Sequence, residues 1–159
     1  MNANAPESEL IALARQFIQI PSENPPGDTT AMADAVTGLL DLPQIELTRF
    51  EPKKGVVNLV AVVRGAQPGP RVVLNGHLDT FTVGARAGWS TDPFGADIRD
   101  GRLYGRGAGD MKAGVAILVS VMRDLAPLQA TMQGELVLTL VSDEETGGTW
   151  GTRWLLANV

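Results

Sequence analysis

Two apolar strands with an amphipathic helix between them set the fold class of this chain. Arg71 to Leu74 is a short β-branched run, and Glu135 to Val141 is a second, strongly apolar run. Gly114 to Leu125 carries apolar side chains at helical spacing, namely Val115, Leu118, Val119, Met122 and Leu125. Because a strand, a helix and a strand in this order build a parallel sheet, the pattern predicts an α/β domain whose ligands gather outside the carboxyl ends of the strands.

The remaining segments add helices and strands to this unit. Helical periodicity predicts three more helices, over about Glu7 to Ile20, from near Asp28, and from near Gly148. Strand patterns cover Ile45 to Phe50 and Asn58 to Arg64, and Asp97 to Tyr104 reads as a hairpin with a type I′ turn at Asp100-Gly101. The sequence therefore predicts one domain, a three-layer α/β sandwich with a mixed, mainly parallel sheet.

Composition narrows the chemistry that such a domain can carry. The chain has no cysteine, which excludes disulfides and thiolate zinc sites and leaves imidazole and carboxylate as the strong metal ligands. Its net charge of −5 comes from scattered acids, so neither nucleic acid nor an anionic membrane is an expected partner. We find no signal-peptide pattern and no apolar run long enough to span a bilayer, and therefore expect a cytoplasmic protein.

The first motif with chemical content follows the strand that ends at Leu74. It holds His77, the only histidine in the chain, and Asp79 two residues later. Residues two apart in an extended segment point the same way, so the Asp79 carboxylate can accept a hydrogen bond from one ring nitrogen while the other binds a metal. The alternative is a strand-end histidine that bonds only to the backbone.

The second motif is a glycine-rich turn, Gly105 to Gly114, that delivers Asp110 to the start of a helix. It lacks the spacing of a Walker phosphate loop and does not follow a strand as a dinucleotide fingerprint does. The glycines instead allow Asp110 to direct both carboxylate oxygens into a cleft and bridge two cations. A plain helix N-cap is the alternative role for Asp110.

The third motif is a run of acids, Asp143, Glu144 and Glu145, directly after the strand ending at Val141. Adjacent carboxylates repel one another, and a bound cation removes that cost. One glutamate can then bind metal while the other moves a proton, although an exposed acidic loop also explains the run. Because all three motifs fall at the same end of the sheet, we expect them to meet in one cleft.

These motifs, in this order and at these separations, resemble a zinc metallopeptidase and deacylase family. That family includes aminoacylase, acetylornithine deacetylase, succinyl-diaminopimelate desuccinylase and glutamate carboxypeptidase. The opening loop, Pro21 to Gly27, also resembles the family's N-terminal region. The resemblance covers nearly the whole chain and implies a zinc exopeptidase-like fold.

The resemblance implies hydrolysis of the amide bond of an N-acyl amino acid or small peptide by water held between two zinc ions, with Co²⁺ as a substitute. It implies metal binding by His77, Asp110 and Glu145, with Asp110 bridging both ions. It further implies that Asp79 orients the histidine, that Glu144 is the general base, and that the Asp110-Met111 peptide bond is cis.

Family members also have a further acidic ligand, a late histidine ligand and a lid domain that commonly mediates dimerisation. We therefore expect residues 1–159 to be the N-terminal part of a catalytic domain, truncated before those parts, with the intact form a homodimer. The isolated chain should bind zinc weakly and show little or no turnover. The alternatives are a non-catalytic fragment or metal-binding remnant, and a related di-zinc aminopeptidase. A serine hydrolase is disfavoured because no G-x-S-x-G motif is present.

Overall fold

A four-stranded mixed sheet with α-helices on its faces forms the body of the protein. The structure is a computed structural model that describes residues 8–159, so the predicted helix start at Glu7 lies outside the described residues. In chain order, the α-helices and strands are α1 (Glu9–Ile18), α2 (Thr30–Leu40), β1 (Glu46–Lys53), β2 (Val56–Arg64), β3 (Gln67–His77), β4 (Asp97–Arg99), β5 (Arg102–Tyr104), α3 (Lys112–Leu125), β6 (Gln133–Val141) and α4 (Thr152–Asn158).

The strand order of the main sheet is β1-β2-β6-β3. Strands β3 and β6 are parallel neighbours joined through α3, which confirms the predicted strand–helix–strand unit. The other two pairings, β1 with β2 and β2 with β6, are antiparallel. The sheet is mixed as predicted, but only one of its three pairings is parallel; the tight connection between β1 and β2 accounts for their antiparallel pairing.

Helices cover both faces of the sheet. Helices α1, α2 and α3 pack on one face, where the alternate β2 residues Val57, Leu59, Ala61 and Val63 join their core cluster. Helix α4 lies on the other face, where the Trp154 ring stands 5.6 Å from the Phe50 ring. On the same face, the side-chain nitrogen of Asn58 donates to the Trp150 carbonyl at 2.8 Å. The predicted α/β sandwich with a mixed sheet is confirmed.

One helical stretch departs from the expectation that no apolar segment could span a bilayer. By length and composition alone, Lys112–Thr131 is long and apolar enough to cross a membrane. In the fold this stretch is α3 and the 3₁₀ turn after it, and α3 buries Val115, Val119 and Met122 in the core cluster. Packing against α1 and the sheet accounts for these buried apolar residues.

The small hairpin agrees with its predicted turn. Strands β4 and β5 pair antiparallel, with φ of 51° at Asp100 and 72° at Gly101. Two successive positive φ values are what a type I′ turn requires.

The parallel pair determines where the chemical motifs lie. His77, the last residue of β3, pairs with Val141, the last residue of β6. The segments that follow these two residues therefore leave the sheet side by side, as expected for neighbouring parallel strands.

Candidate metal centre

His77 is buried at the end of β3, with an exposed fraction of 6%. Its Nδ1 lies 2.9 Å from the backbone oxygen of Asp79 and 3.4 Å from the Asp79 carboxylate, while its Nε2 lies 2.9 Å from Asp110 Oδ1. The nearest acceptor for Nδ1 is thus the carbonyl rather than the predicted carboxylate. Burial disfavours a charge on the ring, but the hydrogen bonds to Asp79 and Asp110 outweigh it and raise the pKa of His77 to about 9.

The Asp79 carboxylate is fully buried and is occupied by other donors, which explains this difference. It accepts hydrogen bonds from Asn24 Nδ2 at 2.9 Å, from the Glu145 amide at 3.1 Å and from the Glu144 amide at 3.3 Å. Burial raises the pKa of Asp79, but the hydrogen bonds from His77, Asn24 and the Glu145 amide more than offset that effect and hold it below its usual value. Asp79 therefore anchors the acidic turn after β6 as well as the histidine.

Asp110 stands two residues before the first residue of α3, and its side chain is 76% exposed. The N-cap position of α3 is Met111 and makes no side-chain cap hydrogen bond, while the Asp110 carboxylate faces His77. The alternative role of Asp110 as a plain N-cap is therefore wrong. The peptide bond between Asp110 and Met111 is cis, as the resemblance implies.

The start of α3 is tied to the loop that follows α1. Lys112 is completely buried, and its ammonium group donates to the backbone oxygen of Ile20. Its backbone amide donates to the Gly107 carbonyl at 2.8 Å. These contacts hold the glycine-rich turn and Asp110 against the body of the protein.

Asp143 has a structural task in the acidic turn. It adopts a left-handed conformation with φ of 71°, and its carboxylate accepts hydrogen bonds from the Trp150 amide at 3.0 Å and from the Thr146 hydroxyl. Both interactions close the turn onto itself. The Asp143 carboxylate is therefore bonded within the acidic turn, whereas the carboxylates of Glu144 and Glu145 lie near His77.

Glu144 and Glu145 stand next to each other but have different surroundings. Glu145 Oε1 accepts a hydrogen bond from the Phe81 amide at 2.9 Å, and burial, together with the nearby Asp110 charge, raises the pKa of Glu145. The Glu144 side chain is 55% exposed, and its Oε2 lies 3.9 Å from His77 Nε2. The Phe81 amide thus fixes the Glu145 carboxylate, whereas the Glu144 carboxylate stays accessible.

The three side chains predicted to bind metal come together. His77, Asp110 and Glu145 each offer a ligand atom, and these atoms lie within 4.8 Å of one another. One imidazole and two carboxylates are a donor set that suits a divalent ion, and three protein ligands are the usual number at a catalytic zinc. Among residues 8–159 this is the one such group, and Glu144 is not part of it.

Sequence reasoning missed three groups that hold this arrangement in place. They are the Asn24 amide, the buried Lys112 ammonium and the backbone amide of Phe81. Asn24 stands in the loop from Pro21 to Gly27, which the sequence indicated only as a stiff segment with a family resemblance. A polar residue inside a proline-rich loop was the one available signal, and it does not identify a partner.

The fold and the site together define an α/β domain with a candidate metal-binding group beside the carboxyl ends of two parallel strands. The sequence profile of peptidase family M20/M25/M40 matches residues 73–159, more than half of the chain. The chain belongs to this family.

Curated relatives are similar over most of this chain. Succinyl-diaminopimelate desuccinylase of Rhodospirillum centenum is 39% identical over 150 residues, covering 92% of this chain and 38% of that protein. The protein of the same name from Sulfurimonas denitrificans is 42% identical over 119 residues, covering 72% of this chain and 31% of that protein. The chain thus spans less than two-fifths of the length of these relatives.

Solved structures share the fold at lower identity. Human carnosine dipeptidase 1 superposes with a TM-score of 0.78 at 22% identity, covering 93% of this chain and 34% of that one. The metallo-carboxypeptidase Sso-CP2 of Sulfolobus solfataricus superposes with a TM-score of 0.74 at 21% identity, covering 89% of this chain and 32% of that one.

The close packing at Gly107 gives a test of the site's framework. Gly107 has φ of +81°, and a Cβ there would lie 2.7 Å from Thr80 Cγ2 and 3.1 Å from Lys112 Cδ. We expect Gly107→Ala to lower the free energy of unfolding by about 1–3 kcal/mol, measured by urea denaturation with far-UV circular dichroism. Gly109→Ala is the matched control, because a Cβ there meets no heavy atom within 4 Å. Equal urea midpoints for the two variants would contradict this packing.

Proposed function

We propose that this chain carries the metal-binding part of a zinc-dependent hydrolase that cleaves the amide bond of an N-acyl amino acid or small peptide. The observation that carries the proposal is the grouping of His77, Asp110 and Glu145 within 4.8 Å. The similarity to succinyl-diaminopimelate desuccinylases supports an N-succinyl amino acid as the first substrate to test.

The residues divide the work in this proposal. His77, Asp110 and Glu145 would hold the ion, which when bound would supply Lewis acidity to lower the pKa of water from about 15.7 toward 7 and to polarise the amide carbonyl. Glu144 Oε2 takes the proton from the attacking water and passes it to the leaving amine. Its exposure and its distance of 3.9 Å from His77 Nε2 support this role. Asp79 orients His77 mainly through its backbone oxygen and holds the acidic turn through its carboxylate.

The second zinc ion, the lid and the homodimer belong to the same proposal. They require ligands and surfaces other than the group found among the described residues. The chain spans 38% of the length of the Rhodospirillum centenum relative, which supports assigning residues 1–159 to the N-terminal part of a larger catalytic domain.

Zinc binding tests the ligand set directly. In titrations of the 159-residue chain with Zn²⁺ by isothermal calorimetry, we expect weak binding of about one ion, which His77→Ala and Asp110→Ala abolish. Glu135→Gln is the matched control, because Glu135 pairs with Arg64 and Arg71 at the start of β6. Zinc affinity unchanged in both alanine variants would remove the basis of the proposal.

The two adjacent glutamates give a sharper test of roles. Loss of an outer-shell partner already weakens metal affinity about 10- to 100-fold, so loss of the ligand in Glu145→Gln is expected to weaken it at least as much. Glu144→Gln should bind zinc within about threefold of wild type, since Glu144 is not in the ligand group. The reverse order of affinities would exchange the two assignments.

Turnover tests the role of the isolated chain. With added Zn²⁺ or Co²⁺, we expect the 159-residue chain to hydrolyse N-succinyl and N-acetyl amino acids at no more than background rate, because part of the proposed ligand set is missing. Amine release is measured with ninhydrin, and an aminoacyl p-nitroanilide with a free amine serves as the aminopeptidase control. A rate close to that of an intact family enzyme would show that the chain is catalytically sufficient.

A further inference from the structure

Asn24 lies where the two halves of the site meet. It is 6% exposed, and its side-chain nitrogen is 2.9 Å from Asp79 Oδ2, 3.0 Å from Thr146 Oγ1 and 3.4 Å from Asp143 Oδ1. A carboxamide nitrogen carries two hydrogens, so it can donate to acceptors on two different segments at once. Here one acceptor follows β3 and the other two belong to the turn that follows β6.

The backbone around Asn24 is fixed independently of its side chain. The Asn24 amide donates to the Thr80 carbonyl at 2.8 Å, and the Thr80 amide donates to the Ser22 carbonyl at 2.9 Å. The Ser22 hydroxyl donates to the Leu78 carbonyl at 2.7 Å. The loop after α1 is therefore attached to the segment after β3, and the Asn24 side chain reaches from this fixed position to the acidic turn.

The groups that accept hydrogen bonds from the Asn24 side chain also position Glu144 and Glu145. Asp79 also accepts the backbone amides of Glu144 and Glu145, so its carboxylate sets the position of the turn. Asp143 and Thr146 flank those two glutamates. A neutral double donor between the Asp79 and Asp143 carboxylates allows the two acidic segments to approach without a third charge.

We infer that Asn24 is a positioning residue of the metal centre, which holds the turn bearing Glu144 and Glu145 in register with His77. This inference rests on the proposed function, since it assigns Asn24 a purpose at that site. Asn24 binds no metal in this arrangement, and it acts through Asp79 and the acidic turn.

The decisive variant is Asn24→Asp, which keeps the shape of the side chain. It replaces two donors by a carboxylate that faces Asp79 and Asp143, and like charges at this distance repel. We expect Co²⁺ affinity of the 159-residue chain to fall about 10- to 100-fold, as for loss of an outer-shell partner. We also expect the visible absorption bands of the bound cobalt to change, since they report its coordination geometry.

Asn58→Asp is the matched control for a purely structural effect. Asn58 is fully buried, its Nδ2 donates to the Trp150 carbonyl at 2.8 Å, and its Oδ1 accepts the Ser142 amide at 2.9 Å. Its aspartate variant keeps the acceptor and loses the donor, so it should lower the urea midpoint while leaving the cobalt affinity and spectrum unchanged. If Asn24→Asp does not fold by circular dichroism, Asn24→Ala, which adds no charge, is measured in its place.

The outcomes separate the two hypotheses. Cobalt binding by the wild type with an unchanged affinity and spectrum in the folded Asn24 variant would overturn the positioning role and leave the proposed function standing. Absence of cobalt binding by the wild type itself would overturn the proposed function, and the role of Asn24 with it. A weakened and spectrally altered site in the Asn24 variant alone supports the inference.

Discussion

The buried charge of Asp79 is the constraint on which the site depends. An ionised carboxylate without exposure to water is tolerated only when hydrogen-bond donors replace its hydration. The donors come from the loop after α1 through Asn24 and from the turn after β6 through two backbone amides. Segments far apart in the chain must therefore assemble together, because the removal of any one leaves part of this charge unsatisfied.

A second constraint comes from the order of the strands. His77 and Val141 end neighbouring parallel strands, which brings the histidine and the acidic turn together without any long loop. Asp110 lies just before α3, the helix on the connection between those two strands. The buried Lys112 ties that helix start to the carbonyl of Ile20. The loop after α1 thus contacts the three segments that carry His77, Asp110 and Glu145, and it restrains carboxylates that repel one another.

Much of the fold and of the candidate site could be predicted from the sequence, because hydrophobic periodicity indicates the helices and strands and motif position indicates where the polar side chains lie. The apolar runs predicted the β3, α3 and β6 unit, and the placement of the three motifs at one end of the sheet predicted that His77, Asp110 and Glu145 meet. The antiparallel pairings of β2 with β1 and with β6 could not be predicted, because the strand patterns do not specify which strands are neighbours. The two-residue spacing of His77 and Asp79 also could not tell which Asp79 oxygen faces the ring. Asn24 meets partners 55 to 122 residues away, and no local pattern encodes such contacts.

The different surroundings of the two glutamates match the two roles that we propose for them, namely metal binding by Glu145 and proton transfer by Glu144. Glu145 is held by the Phe81 amide, and a ligand fixed in this way loses little conformational freedom when an ion binds. The Glu144 backbone amide donates to Asp79, while its carboxylate is 55% exposed, as the proposed role of proton carrier requires. Both supports originate in the segment after β3, through Asp79 and Phe81. The segment after β3 therefore organises both carboxylates of the candidate metal-binding site.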